Sequence, residues 1–133
     1  KVPVISIVIG EGASGGALAI GLSDILLCME NTWFSVISPE GCASILFRDS
    51  SQSKKAADAM KVSSYDLKEM GIADGIIEEP LGGANTDYSQ SAKYLKKAFL
   101  NALENLNHFT SKELIENRII KYDKMGHWIG KDE

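Results

Sequence analysis

The sequence predicts an α/β fold built on parallel strands. Apolar runs, several of them rich in β-branched residues, recur at residues 4–9, 24–29, 32–37 and 72–77. Short helix-like stretches separate most of them, where a hairpin protein would place tight turns. The first two runs are nearly unbroken in apolar character, as expected of strands covered on both faces.

Each element follows in order. Val4-Ile5-Ser6-Ile7-Val8-Ile9 is the first strand, and it breaks into Gly10-Glu11-Gly12-Ala13-Ser14-Gly15-Gly16. The chain restarts as a short helix over 14–21, rich in small residues that can pack closely on a sheet. Strands over 24–29 and 32–37 follow. Ser38-Pro39-Glu40 then opens a helix: Ser38 suits the cap, Pro39 the first helical position, and Glu40 the positive end of the dipole. Residues 48–55 are polar and serine-rich and predict a surface loop, with Arg48 solvated. A short helix over 56–60 comes next. Ser63 or Ser64 caps another helix, which Gly71 ends, and residues 72–77 form the last strand.

Pro80-Leu81-Gly82-Gly83-Ala84-Asn85 is a turn-rich boundary. It divides a first unit, residues 1–84, from a helical arm, residues 85–133. In the arm, Leu95, Phe99, Ala102, Leu103 and Leu106 recur at helical spacing. Thr110-Ser111-Lys112-Glu113 is a capping box opening a second helix. The apolar faces, through Leu95, Phe99, Leu103 and Ile119, are expected to bury against the body or a neighbouring subunit. Residues 131–133 read as a charged tail.

Composition narrows the function. The chain has 133 residues, 44% hydrophobic and 24% charged, with a net charge of −4. One modest domain with a real core fits that length. Neither nucleic acid nor a membrane is an expected partner: no basic block is present, and no apolar run is long enough to span a bilayer. Cys28 and Cys42 form no C-x-x-C pair, and His108 and His127 lie far from them in sequence. No metal site is expected; buried, reduced thiols are. The chain starts at Lys1 directly before a strand, which reads as the middle of a longer protein and gives no expectation of activity on its own.

The glycine heptad carries the chemistry. A strand that breaks into glycines and restarts as a helix presents unpaired N–H groups, which favour an anion or a developing oxyanion. Three patterns fit it. Gly10, Gly12 and Gly15 spell the dinucleotide fingerprint, with Glu30 about twenty residues on. The following helix is short for that role. Gly12-Ala13-Ser14-Gly15-Gly16 spells the nucleophile elbow, which needs Ser14 as nucleophile and a histidine near it. Both histidines fall in the arm. Third, Ser14-Gly15-Gly16-Ala17 resembles the oxyanion-hole turn of the crotonase superfamily. A structural turn using glycine only for backbone freedom is the plain alternative.

Longer blocks favour the third pattern. Lys1-Val2-Pro3-Val4, the stretch from Gly10 to Gly21, the stretch from Ser35 to Leu46, and Glu79-Pro80-Leu81-Gly82-Gly83-Ala84 together resemble the carboxyltransferase alpha-subunit family of bacterial-type acetyl-CoA carboxylase. The resemblance covers the whole chain and is loosest in the final helices. It implies the C-terminal part of a crotonase-like spiral of ββα units, followed by the two-helix arm. It implies transfer of a carboxyl group from carboxybiotin, on its carrier protein, to acetyl-CoA. The product is malonyl-CoA, for fatty-acid biosynthesis.

The same resemblance assigns roles. The backbone N–H of Gly15, with Gly16 beside it, lines an oxyanion hole; Gly12, Ser14 and Glu40 are candidate substrate contacts. Ser14 is then a helix-start residue, and Glu40 stands where some crotonase relatives carry a catalytic acid. No cofactor is held covalently, and zinc is expected only on the beta subunit. Partners are that beta subunit, in an α2β2 heterotetramer, and the biotin carboxyl carrier protein; ATP binding belongs to the wider complex. The compartment is the bacterial cytoplasm or the plastid stroma. Another acyl-CoA enzyme of the superfamily, a biotin-dependent decarboxylase subunit, or a non-catalytic assembly fragment are the alternatives.

One consequence is directly measurable. Titration with NAD or NADP is expected to give no saturable signal; micromolar binding that Glu30→Ala abolishes would restore the dinucleotide reading.

Overall fold

The computed structural model describes residues 1–126. Strands β1 (Ile5–Val8), β3 (Ile25–Met29) and β5 (Gly75–Ile77) form one sheet in the order β1-β3-β5, with both pairs parallel. Strands β2 (Glu11–Ala13) and β4 (Trp33–Ser35) form a second parallel sheet. Six α-helices are described: α1 (Ser14–Gly21), α2 (Pro39–Phe47), α3 (Ser53–Met60), α4 (Ser64–Glu69), α5 (Tyr88–Leu106) and α6 (Ser111–Asp123). The chain runs strand, strand, helix twice, and β5 then enters the three-stranded sheet alone. The first strand of each unit joins one sheet and the second joins the other. This is the crotonase-like ββα spiral.

Strand alternation builds the layers. Ile5, Ile7, Ile25, Leu27, Met29 and Ile77 meet Tyr94, Leu95, Ala98 and Ala102 of α5 on one face of the three-stranded sheet. On the other face, Val8 and Cys28 pack with Phe34, Leu67, Ile72 and Ala73. Period-two side-chain direction puts alternate residues of β1 and β3 on opposite faces, so both faces need apolar cover. Each fully buried Leu or Met contributes about 2 kcal/mol by transfer alone.

Most helix boundaries follow the local chemistry. The Ser38 hydroxyl accepts from Gly41 N with Pro39 at the first helical position. Ser63 caps α4, and Gly71 follows that helix at φ 72°. Thr110 and Glu113 complete the capping box of α6. Differences from the sequence reading have local causes. Residues 48–55 are not one loop: a 3₁₀ turn, Ser50–Gln52, capped by Asp49, leads into α3, which starts at Ser53. β2 lies inside the glycine stretch, where neither Glu11 nor Gly12 favours a strand; pairing with β4 holds it. In the arm, Leu95 joins the core, whereas Phe99 and Ile119 are 42% and 63% exposed, so those two do not close onto the body. Residues 131–133 lie outside the described residues, as does His127.

Helix α6 is held by polar contacts. Arg118 donates from Nε and Nη2 to the two carboxylate oxygens of Asp24, at 2.9 and 2.7 Å. Val4 N donates to the same carboxylate. Lys121 pairs with Asp74, whose carboxylate also accepts from Leu26 N. Burial alone would raise the Asp24 carboxyl, but the Arg118 and Val4 donors and the charges of Arg118 and Lys121 outweigh it. The group is held below the usual carboxylate range.

A depressed folded-state value fixes the sign of the pH effect. The stabilisation from Asp24 is complete above its unfolded pKa of about 4 and is lost as pH falls through its lower folded value. Arg118→Met leaves a carboxylate that is only 4% exposed without its main partner. It should cost about 3 kcal/mol at pH 7. Urea midpoints at pH 7 and near pH 2 check this: the gap between wild type and Arg118→Met should shrink at the acid end. An equal gap at both would mean that the pair is not the source.

Candidate active site

The edge where β2 and β4 end concentrates the candidate residues. Register pairs Ala13 with Ser35. Helix α1 begins at the next residue after Ala13, and α2 begins four residues beyond Ser35. Two helix N-termini therefore leave the same edge of one small sheet, and both favour negative charge there.

The N-terminus of α1 is bare. Its cap position is Ala13, which has no side-chain acceptor, and no side-chain cap is present. The first-turn N–H groups, at Ser14, Gly15 and Gly16, have no partner within the helix. All three residues are exposed. A Cβ added at Gly15 or Gly16 would meet nothing within 4 Å. Glycine there leaves the backbone open to an approaching molecule.

Gly12 has a different role. A Cβ on it would stand 2.8 Å from the Phe34 ring, and one on Gly21 would stand 2.9 Å from the same ring. Phe34 thus lies against a glycine at the strand end and another at the far end of α1. Gly12 is needed for packing, and it sets the turn that presents Gly15 and Gly16.

Ser14 takes φ 65°, in the left-handed region. That is uncommon for a residue with a side chain and costs roughly 1 kcal/mol. A nucleophile elbow uses a similarly strained serine. Among the described residues, no histidine lines the cavity beside Ser14. His108 lies in the turn between α5 and α6, its ring 4.7 Å from that of Phe109.

Glu40 is exposed in the first turn of α2, and its carbonyl accepts from Ser44 Oγ. Ser38, not Glu40, caps that helix. A cavity of about 670 Å³ runs from Ser14 and Leu18 past Phe34 and Val36 to Met60 and Tyr122. Its walls are mostly apolar.

The remaining motif residues hold the scaffold. Glu30 accepts from the Tyr65 hydroxyl and from Glu79 N. The Tyr65 hydrogen bond, with burial and the Glu30 charge behind it, raises that hydroxyl above its usual range. The carboxylate that a dinucleotide ribose would need is therefore engaged within the chain. Glu79 accepts from Asn31 N, Asn31 Nδ2 and Ala84 N. Burial works to raise its carboxyl, and these donors bring it below the usual range. Cys28 is fully buried, and burial pushes its thiol up; Cys42 is half-buried. Among the described residues, no cluster of histidine, cysteine and carboxylates could hold a metal, and no helix is long and apolar enough to cross a membrane.

Sequence reasoning missed one set of contacts at this helix. Ser6 Oγ donates to Ile20 O at 2.6 Å, and the Tyr122 hydroxyl donates to Gly21 O at 2.6 Å. Nothing local pairs Tyr122 with a residue 101 positions earlier.

The chain is similar to known proteins over nearly its whole length. Residues 1–126 match the profile of a family described as acetyl co-enzyme A carboxylase carboxyltransferase-like. The chain is 48% identical over 129 residues to the acetyl-coenzyme A carboxylase carboxyl transferase subunit alpha of Staphylococcus aureus (strain bovine RF122 / ET3-1), covering 97% of this chain and 41% of that protein. Identity to the Staphylococcus haemolyticus (strain JCSC1435) subunit is also 48%, over 131 residues, covering 98% of this chain and 42% of that protein. The chain therefore spans about two fifths of the length of these curated relatives. In structure it resembles a Pseudomonas malonate decarboxylase hetero-tetramer solved with coenzyme A. The TM-score is 0.64 at 16% identity, over 88% of this chain and 45% of that one. It also resembles the transcarboxylase 12S hexamer, with TM-score 0.58 at 17% identity, over 99% of this chain and 22% of that one. The match over nearly the whole described chain, on a ββα spiral with an open glycine turn, shows that the chain belongs to the acetyl-CoA carboxylase carboxyltransferase alpha-subunit family.

Proposed function

We propose that this chain is part of the carboxyltransferase that makes malonyl-CoA from acetyl-CoA and carboxybiotin. The observation that carries the reading is the bare, glycine-lined N-terminus of α1, open above Gly15 and Gly16. The reaction breaks the N–C bond to the carboxyl group and forms a C–C bond at the acetyl methyl. The hydrogen lost from that methyl takes the place of the carboxyl on the biotin nitrogen. Negative charge develops on a thioester oxygen and on the biotin ureido oxygen. Preorganised N–H donors stabilise such charge, one donor being worth about 3 kcal/mol.

In this reading Gly15 N–H is the donor and Gly16 its neighbour. Gly12 shapes the turn through Phe34, and Ser14 starts the helix. Glu40, beside the same edge, is a substrate contact at the position where some crotonase relatives carry a catalytic acid. The apolar wall of Leu18, Phe34 and Val36 excludes water from one side. A second donor, the acetyl-CoA contacts and zinc are assigned to the rest of the subunit and to a beta subunit in an α2β2 assembly. Carboxybiotin arrives on its carrier protein as a co-substrate. The compartment is the bacterial cytoplasm or the plastid stroma.

The test uses the full-length alpha subunit with its beta partner. Gly15→Pro removes one N–H at a position in the first helical turn, where proline is tolerated. It should lower kcat for malonyl-CoA formation by about 10²-fold or more. Ser14→Ala should keep most activity. A folded but inactive Ser14→Ala enzyme would favour a serine nucleophile instead.

A further inference from the structure

Helix α1 is held at one end and open at the other. Its last carbonyls are engaged by two hydroxyls from distant parts of the chain. Ser6, a buried residue of β1, donates to Ile20 O at 2.6 Å. Tyr122, near the end of α6, donates to Gly21 O at 2.6 Å and accepts from Ser23 N at 2.9 Å. The C-terminal carbonyls of a helix carry its partial negative charge, so hydroxyl donors there complement the dipole; at Gly21 O the Tyr122 hydroxyl adds to the bond from Ser23 N at 2.8 Å. No basic residue lies in the last turn of α1 to do this instead.

The helix has only eight residues, so its two ends are little more than 10 Å apart at 1.5 Å per residue. So short a helix has little rigidity of its own. Its N-terminus has no side-chain cap. Its direction is set by the Phe34 wedge and by what grips Ile20 and Gly21. Tyr122 is in turn fixed by its own helix, since Arg118 and Lys121 tie α6 to Asp24 and Asp74.

We infer that Tyr122 and Ser6 are positioning residues: they aim the N–H groups of Gly15 and Gly16 by anchoring the opposite end of α1. The inference rests on the carboxyltransferase reading for its catalytic consequence, but the anchoring can be measured without it. A shift of about 1 Å in a catalytic group can cost as much as 10²-fold in rate, so loss of one hydroxyl grip should cost roughly tenfold.

The experiment uses the full-length alpha subunit with its beta partner, as Tyr122→Phe and, separately, Ser6→Ala. Each change removes one hydroxyl and little volume. Glu116→Gln, on the exposed side of α6, serves as the control. In both hydroxyl variants kcat should fall roughly tenfold with the KM for acetyl-CoA unchanged. Amide hydrogen exchange over residues 14–21 should accelerate while exchange in α5 stays as in wild type. Unchanged kcat, a change in KM alone, or unchanged exchange over 14–21 would overturn the inference. If Tyr122→Phe fails to assemble, Ser6→Ala carries the same test from the other side of the helix. A wild-type complex that forms no malonyl-CoA would defeat the carboxyltransferase reading, while the exchange result would still decide whether the two hydroxyls hold α1.

Discussion

The Phe34 ring is the constraint on which the rest of the site depends. It lies against Gly12 at one end of the β2–α1 turn and against Gly21 at the end of the helix. The same side chain packs onto the cluster of Cys28, Leu67 and Ala73 beneath it. One aromatic ring therefore couples the small sheet, the short helix and the core of the large sheet. A methyl group at either glycine would have to displace it. Two glycines of the heptad then differ: Gly12 lets the protein approach itself, and Gly15 leaves its backbone open.

The parts of the fold legible in the sequence were those with local causes. Continuous apolar runs marked β1 and β3, because both faces of those strands meet side chains. Ser38, Ser63, Gly71 and the Thr110–Glu113 box marked helix ends, because caps act within four residues. Strand β2 was hidden, since Glu11-Gly12-Ala13 has no strand preference of its own and is extended only because β4 pairs with it. The attachment of α6 was hidden for a related reason. Asp24 and Arg118 are 94 residues apart, and each alone reads as an ordinary surface charge. The glycine heptad was legible as the break between a strand and the helix α1. Its geometry was not: nothing in the heptad showed that Ser14 would take a left-handed conformation or that Gly12 would serve packing.

Two charge networks brace the three-stranded sheet at its opposite ends. Asp24 and Asp74 sit before β3 and β5 and receive Arg118 and Lys121 from α6. Glu30 and Glu79 sit after the same strands and receive Tyr65, Asn31 and backbone N–H groups. Carboxylates thus satisfy backbone donors where the strand ladders stop, the role that helix caps play elsewhere. Pro80-Leu81-Gly82-Gly83 hangs from the second network. Gly82 and Gly83 there take φ of 90° and 104°, which side-chain residues rarely adopt.

The all-parallel pairing also shapes how the chain folds. With no hairpin among the described strands, the first strand contact, Ile5 with Ile25, closes a segment of about twenty residues, and Leu27 with Gly75 a much longer one. Loop closure of that kind slows folding and delays the sheet relative to the helices. α5 and α6 can form early from local contacts, whereas the strands they cover wait for partners distant in sequence. Until then Ile5, Ile7, Leu26 and Leu27 stand uncovered in a nascent chain, and crowding or slow release during synthesis would direct them toward one another between molecules. Yield of soluble protein should therefore respond more to expression temperature and chaperone supply than to the stability of the finished fold.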